Sequence, residues 1–524
     1  MARVDRDFVG RDIAMLVDYV SPQSGVSRRA RAIWLGCAAA VAVGVGLRLA
    51  QYLSNQSFYV DESALLLNVL RYPARLLPFT RLDAITPPQA APPVMLLWCK
   101  AMLHTFGFAE WAVRLLPQSL ALAALPLMWI VSRRFLQPAV VLWAMWLMAL
   151  SDLMIWESAV IKPYSGDVLI GLLIFASGLV WKRGSSPAER LTWASLLTAA
   201  GLWVSYTAVF VFAAVALALT PTTIRRRGWL ALIGAIIPAL ISFAAAYMLS
   251  FRAERNPRFL DFSDHLNRLG DWHHAAGMAL WAVRMAMDMF HGLFSPKGAI
   301  FAAPAALGVW VLRHRIPVDV WWALLLLPVI SLIVAAAGFY PTGGTRLTMY
   351  LAPFLIIFIA AGCEEIVRWT SRTGVGSAAW CRAGFMLLIL APQWGPAIYR
   401  LGVPRSMGNT RDALAFVRSR RVGYEPVYVI GHNHSVDVEL YWPDADPAVH
   451  LDTNVEDKPS DSEFWVLTSS PEALTWMSFL SLQQGNAKPD AARSFHVRGG
   501  DAVFYSRENS FQSRAAMSSA DERR

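Results

Sequence analysis

Apolar stretches of about 20 residues recur from Ala32 to Ile398, separated by arginine and lysine clusters, and they confine the chain to one kind of solution. A bilayer offers no water to backbone N–H and C=O groups, so a segment that crosses it pairs them within itself as a helix. Composition agrees: 56% of the 524 residues are hydrophobic and 16% are charged, against about 25% charge in soluble chains. The expected fold class is an α-helical polytopic membrane protein.

The formal charge of +10 arises from 47 Lys+Arg against 37 Asp+Glu. No basic tract is interleaved with aromatic residues in a soluble stretch, which argues against nucleic acid as a partner. Cys37, Cys99, Cys363 and Cys381 show no CxxC spacing, so neither a disulfide framework nor a zinc site is expected. Residues Met1–Ala32 are charged and mixed, and the apolar stretch after them lacks a small-residue cleavage motif, unlike a cleavable signal peptide.

Short loops rich in Lys/Arg stay in the cytoplasm. The first span, Ala32–Leu53, follows Arg28, Arg29 and Arg31 and should run outward. The clusters Arg133–Arg134, Lys182–Arg183, Arg225–Arg227, Arg313–Arg315 and Arg368–Arg382 are all cytoplasmic only if an even number of crossings separates neighbours. Trp111–Val131, Val140–Trp156, Tyr164–Trp181, Trp229–Ser250, Ala299–Leu312, Val320–Ala337, Leu347–Gly362 and Ala383–Ile398 allow this, with Leu191–Thr220 as two short spans turning near Ser205–Tyr206. The result is about eleven spans, with the N-terminus inside and the C-terminal region outside.

The expected organisation is a cytoplasmic tail (1–31), a membrane domain (32–400) with outer loops 54–110, 157–163 and 251–294, a periplasmic α/β domain (401–508) and a disordered tail (509–524). Val94–Phe106 and Trp281–Phe294 read as interfacial helices; Arg284, Asp288 and His291 share a face of the second. In the C-terminal unit, Asn409–Arg421 and Pro471–Gln483 read as helices. Val427–Ile430, Phe464–Thr468 and two pieces around Gly499–Gly500 read as strands.

Candidate chemistry gathers in the outer segments. Asp61 and Glu62 follow the first span; they fit a helix N-terminus and, equally, a general base at the membrane surface. Asp167 sits just inside a span, where an acid is a functional candidate; that reading is favoured over a solvated first turn. Lys162 lies outside against the positive-inside trend. Arg346 follows Pro341–Thr342–Gly343–Gly344–Thr345, a turn whose amides could join its guanidinium on a phosphate; a snorkelling anchor is the alternative. His104, His273, His274, His432 and His434 have poor metal-ligand spacing, and surface roles suit them better.

Together, in order, several segments resemble one family. They are Asp61–Glu62 with Leu65–Leu70, Gln89-Ala90-Ala91-Pro92-Pro93, and Phe106 through Pro117 closing with Arg133–Arg134. Next come Lys162-Pro163-Tyr164-Ser165-Gly166-Asp167, Trp203 through Phe210, and Tyr340 through Arg346 with Tyr350-Leu351-Ala352-Pro353. Over about residues 32–365 the chain resembles the GT-C glycosyltransferases of the protein O-mannosyltransferase and lipid A aminoarabinose transferase type (glycosyltransferase family 39-like). It departs from their pattern at Val160, where many relatives carry Glu, and at Ala91, where aminoarabinose transferases carry Lys.

The resemblance implies a polyprenyl-phosphate sugar as donor, a glycan, lipid or protein as acceptor, and a bacterial inner-membrane location. It implies Asp61 as catalytic base with Glu62 beside it and Asp167 as a positioning acid. Arg346, Lys162 and Tyr340 would hold the donor phosphate, and Tyr164, Gln89 and Glu157 would position substrate. No metal ligands are assigned, no cofactor is required, and a divalent metal is compatible with the scheme. Direct displacement would invert the anomeric centre. A transporter or flippase of lipid-linked sugars is the rival; it would place charge at the bilayer midplane, whereas Arg48 and Arg284, the nearest candidates, lie near outer ends. Reporter fusions after Arg134, Arg227 and Arg315 should report cytoplasm, and fusions after Gly344 and Arg421 the outside. An external signal after Arg227 would refute the paired short spans.

Overall fold

The computed structural model describes residues 28–251, 275–294, 297–340, 346–372, 377–406, 409–430, 432–443, 448–453, 463–468, 487–497 and 500–507, apart from 83, 86–88 and 182–183. The turn Pro341–Thr345, His273–His274, the helix expected at Pro471–Gln483 and most of the loop 251–294 lie outside the described residues, as do both tails.

Helices come in the order α1 (Arg28–Leu53), α2 (Val60–Arg71), α3 (Pro93–Phe106), α4 (Glu110–Ser132), α5 (Pro138–Leu150), α6 (Asp152–Glu157) and α7 (Tyr164–Phe175), the last continuing as a π-helix to Trp181. Then follow α8 (Pro187–Gly201), α9 (Ala208–Ala246), α10 (Ala275–Leu293), α11 (Ala302–Leu312), α12 (Val318–Ala336), α13 (Ala352–Arg372) and α14 (Ala378–Gly402). Among the described residues, α1, α4, α7, α9, α12 and α13 have the length and apolarity of a crossing, and the chain is a helical membrane protein.

The remaining expected crossings fall on shorter or broken helices. Val140–Trp156, expected as one span, is interrupted at Ser151, whose side chain accepts the Met154 N–H and starts α6 afresh. That break leaves the last carbonyls of α5 without helical partners. Arg48, fully buried on α1, donates to two of them, Met148 O at 3.1 Å and Ala149 O at 3.3 Å. Its positive charge also suits a helix C-terminus. Between α8 and α9 the chain breaks over 202–207, around the expected turn near Ser205–Tyr206. Helix α9 then runs past Thr220 through the arginine cluster to Gly228, whose φ of +79° interrupts it. Helix α10 meets the segment Gly298–Leu312 at 112°, a bend that fits a helix lying across the end of a span.

Several basic side chains tie neighbouring helices together. Arg315 bonds Glu365 at 2.7 Å, Arg382 grips Glu364 with two nitrogens (2.6 and 2.8 Å), Arg190 bonds Asp319 at 3.0 Å, and Arg368 reaches Gln137. Asp61, Lys162 and Arg346 meet at the start of α2, and the C-terminal unit reaches the same helix through Ser63.

Past α14 come α15 (Thr410–Arg420), β1 (Val427–Ile430), α16 (His432–Tyr441), β2 (Val449–Thr453), β3 (Glu463–Thr468), β4 (Ala487–Val497) and β5 (Gly500–Arg507). The strands form one sheet in the order β2-β1-β3-β5-β4, with β1 parallel to β2 and β3 and the other pairings antiparallel. Val427, Val429, Trp465 and Leu467 are buried with Leu414 and Val417 of α15, so α15 covers one face.

Small residues set the spacing within the bundle, because apolar burial does not drive helices together in lipid and close contact must. Helices α11 and α13 touch backbone to backbone: a Cβ on Gly308 would lie 1.8 Å from Phe358 O, and one on Gly362 would lie 1.8 Å from Pro304 O. Gly362→Val should therefore force the pair apart and cost about 1–3 kcal/mol or more, whereas Gly234→Ala, with nothing within 4 Å of its Cβ, should be tolerated. Thermal unfolding of detergent-solubilised protein checks both.

Candidate active site

Adjacent positions on a helix point about 100° apart, and at the start of α2 this sends the two neighbouring carboxylates in different directions. Glu62 turns inward and is fully buried. Its oxygens accept Arg114 Nε (3.1 Å), Arg114 Nη2 (2.6 Å), the Ile161 N–H (2.9 Å) and, at 3.4 Å, the Tyr59 N–H that opens the helix. Arg114 donates further to Gln56 O and to Ser57 O (3.2 Å), and its guanidinium lies 5.0 Å from the centre of the Phe58 ring. Glu62, expected beside Asp61 in the chemistry, is thus placed as a capping and anchoring group with its lone pairs taken.

Asp61 turns the other way and pairs with Arg346, which starts the turn leading into α13. Arg346 also donates to the Tyr59 hydroxyl at 2.5 Å and lies 5.8 Å from the ring centres of both Tyr59 and Tyr164. Lys162 donates to Gln89 Oε1 at 2.5 Å, and Gln89 in turn bonds Asp61. Burial pushes the Asp61 carboxyl up, but Lys162 and Arg346 outweigh it and hold the group below its usual range. Burial lowers the Lys162 ammonium, with Asp61 opposing.

Glu157, the last residue of α6, is enclosed, and neither of its oxygens has a hydrogen-bond partner among the described residues. Burial drives its carboxyl up to about 7, against the pull of Arg346, Lys162 and Arg405. Arg405 stacks on Trp156 at 3.9 Å, bonds Asp152 at 3.0 Å and exchanges two 2.9 Å backbone bonds with the Gln51 amide. A small polar cavity lined by Ser57, Tyr59, Trp156 and Arg405 lies alongside.

The structure therefore brings Asp61, Gln89, Glu157, Lys162, Tyr164 and Arg346 into one cluster. Two expected members bond to partners outside this set. Asp167 is hydrogen-bonded by Ser205 and Thr207 of the turn between α8 and α9, and its Oδ1 is buried without a partner among the described residues. Tyr340 donates to Leu347 O at 3.2 Å and packs edge-on against Phe210, so its hydroxyl is engaged by backbone. Tyr59 and Arg405 belong to the cluster without having been singled out. Tyr59 stood two residues before Asp61 as an aromatic beside an acid; Arg405 carried no local signal. Among the described residues, no three His, Cys, Asp or Glu side chains converge as a metal ion would require.

No family model and no curated protein matches the chain. Among solved structures it is similar to ArnT from Cupriavidus metallidurans in the apo state, with 13% identity, 91% of this chain and 98% of that one covered, and a TM-score of 0.48. For ArnT from the same organism bound to undecaprenyl phosphate the values are 13%, 90%, 97% and 0.49. For the oligosaccharyltransferase of Archaeoglobus fulgidus in the apo form they are 13%, 78%, 63% and 0.41.

The two carboxylates should separate experimentally. Arg114→Ala leaves Glu62 buried and unpaired, which costs about 3–5 kcal/mol, whereas losing the partly exposed Asp61–Arg346 pair in Asp61→Asn costs about 1 kcal/mol or less. Thermal unfolding should show a large drop for the first variant and a small one for the second.

Proposed function

We propose that the chain is a GT-C glycosyltransferase that moves a sugar from a polyprenyl-phosphate donor to a hydroxyl of a glycan, lipid or protein, at the outer face of a bacterial inner membrane. The observation that carries this reading is the Asp61–Arg346 pair with Lys162 beside it. It offers one carboxylate and two cations in one partly open site, the set that a phosphate leaving group and an attacking hydroxyl require.

In this scheme Asp61 takes the acceptor proton as the oxygen attacks the anomeric carbon. The bond from that carbon to the phosphate oxygen breaks, and the electron pair leaves with the polyprenyl phosphate, inverting the centre. Arg346 and Lys162 stabilise the charge that grows on the phosphate. At rest both cations hold the Asp61 carboxyl low, which makes it a weak base. A donor phosphate that draws Arg346 and Lys162 away raises the basicity of Asp61 when the acceptor needs it. Tyr59 and Tyr164 wall the guanidinium and fix its plane. Asp167, on its own turn, is assigned to holding substrate, and Tyr340 to supporting the segment that carries Arg346. A transporter would instead need charge at depth along a path; this cluster sits among the outer segments.

Purified protein given a panel of polyprenyl-phosphate sugars should transfer at least one of them. Asp61→Asn should then lose about 10²–10⁴-fold in kcat while still binding donor. Arg346→Ala should raise donor KM, and Arg346→Lys should fall between it and wild type. Wild-type turnover in Asp61→Asn would remove the base assignment. Donor movement across vesicles without any product would favour the rival.

A further inference from the structure

Nothing in the proposed chemistry uses the C-terminal unit, yet it holds the segment around Asp61 at Asn55, Ser57, Phe58 and Ser63. Arg411 Nη1 donates to Asn55 O at 3.1 Å, and the Ser57 hydroxyl donates to Asn409 Oδ1 at 3.4 Å. The Phe58 N–H donates to the Tyr441 hydroxyl at 2.7 Å, and the two rings stack with centres 6.0 Å apart. Ser63 donates to Asp437 Oδ1 at 2.5 Å, while Thr410 donates to Oδ2 of the same carboxylate at 3.1 Å. Glu110, at the start of α4, closes the ring by accepting from both Arg411 (2.8 Å) and Tyr441 (2.9 Å).

These contacts are interior ones. Ser63, Thr410 and Asp437 are all buried, and Leu440 belongs to the same apolar cluster as Phe58, Leu65 and Leu66 of the α2 region. The membrane-side anchor of this segment is different: Arg114 holds Gln56, Ser57 and Glu62 from α4. Residues 55–63 are thus pinched between two supports, and Asp61 projects from the pinched stretch. Arg114 reaches the residue after Asp61, Glu62, and Asp437 holds the next one, Ser63.

We infer that the C-terminal unit is a positioning part of the active site, with Asp437 and Tyr441 as the residues that fix the start of α2 and hence the Asp61 carboxylate. This rests on the transferase reading for its consequence on rate, and on contacts alone for the restraint itself. Asp437 suits the task because it accepts from two elements at once, one from the membrane part and one from its own unit. Burial drives its carboxyl up to about 7, so a neutral amide is a fair replacement. In Asp437→Asn the carbonyl oxygen still accepts from Ser63, and the amide nitrogen can donate to Thr410.

The test pairs a substrate-free measurement with a kinetic one on the full-length protein in detergent. Hydrogen exchange of Asp437→Ala should rise about tenfold or more in peptides covering residues 55–66, with α7 and α13 unchanged, because local opening exposes only the released segment. With a donor that wild type uses, kcat should fall about 10–100-fold, since a displacement on the order of 1 Å costs about 100-fold, while donor KM stays within about twofold. Asp437→Asn should restore both readouts to within about threefold of wild type. Should Asp437→Ala fail to fold, Tyr441→Phe, which keeps the ring stack and loses the hydroxyl, carries the same pair of measurements. Unchanged exchange over 55–66 in these variants would overturn the inference, and so would a kcat loss in Asp437→Asn as deep as in the alanine variant. If wild type transfers no sugar at all while exchange over 55–66 rises as stated, the transferase reading fails and the restraint stands.

Discussion

The enclosed pair of Glu62 and Arg114 is the interaction on which the site depends. A carboxylate with no access to solvent is costly unless every lone pair has a partner, and here Arg114, a backbone amide of the second outer loop and the helix N-terminus supply them. The pair therefore ties together α2, α4 and the loop before α7. Once Glu62 is committed inward, helical geometry leaves Asp61 facing Arg346.

The cluster that results holds its charges in tension. Arg346 is shared between a carboxylate and a phenol, and Lys162 is linked to Asp61 by its charge and through Gln89. The enclosed Glu157 carboxylate has no hydrogen-bond partner among the described residues and sits in the field of Arg346, Lys162 and Arg405. An incoming anion would find Lys162 buried and Arg346 partly so, both already oriented, and would displace Asp61 and the Tyr59 phenol from Arg346. Such replacement of one set of contacts by another costs little reorganisation, which is the condition under which fixed charges assist a reaction most.

Much of this was legible in the sequence, for identifiable reasons. Spans are dictated by local apolar length, so α1, α4, α7, α12 and α13 lie where hydropathy and arginines put them. The grouping of Asp61, Lys162, Tyr164 and Arg346 agrees with the expectation, from the arginine pattern, that their segments share one side of the bilayer. What was hidden depends on contacts between distant residues. The face taken by Glu62 is decided by Arg114, 52 positions later, and no pattern near Glu62 announces it. Val140–Trp156 reads as one span because all its residues but Ser151 and Asp152 suit lipid; the break needs Ser151 as a cap and Arg48, 100 residues earlier, to take the loose carbonyls. Asp167 has the composition of a site acid and yet belongs to the turn at Ser205–Thr207, a pairing that only packing reveals. Arg405 sits after the last span, where a lone arginine is ordinary.

The ring that joins Ser63 to Asp437 spans 374 residues of chain. On a ribosome adding 5–20 residues per second, the partner of Ser63 emerges roughly 20–75 s after Ser63 itself. During that interval the early helices are already in the membrane, while the stretch around Asp61 still lacks half of its support. A chain cut off after α14 would carry the long apolar helices among the described residues together with Lys162 and Arg346, and would still lack the contacts that Asp437 and Tyr441 make with residues 58–63. Synthesis therefore has a built-in order: these helices are made first, and the support of Ser63 arrives with a segment made later.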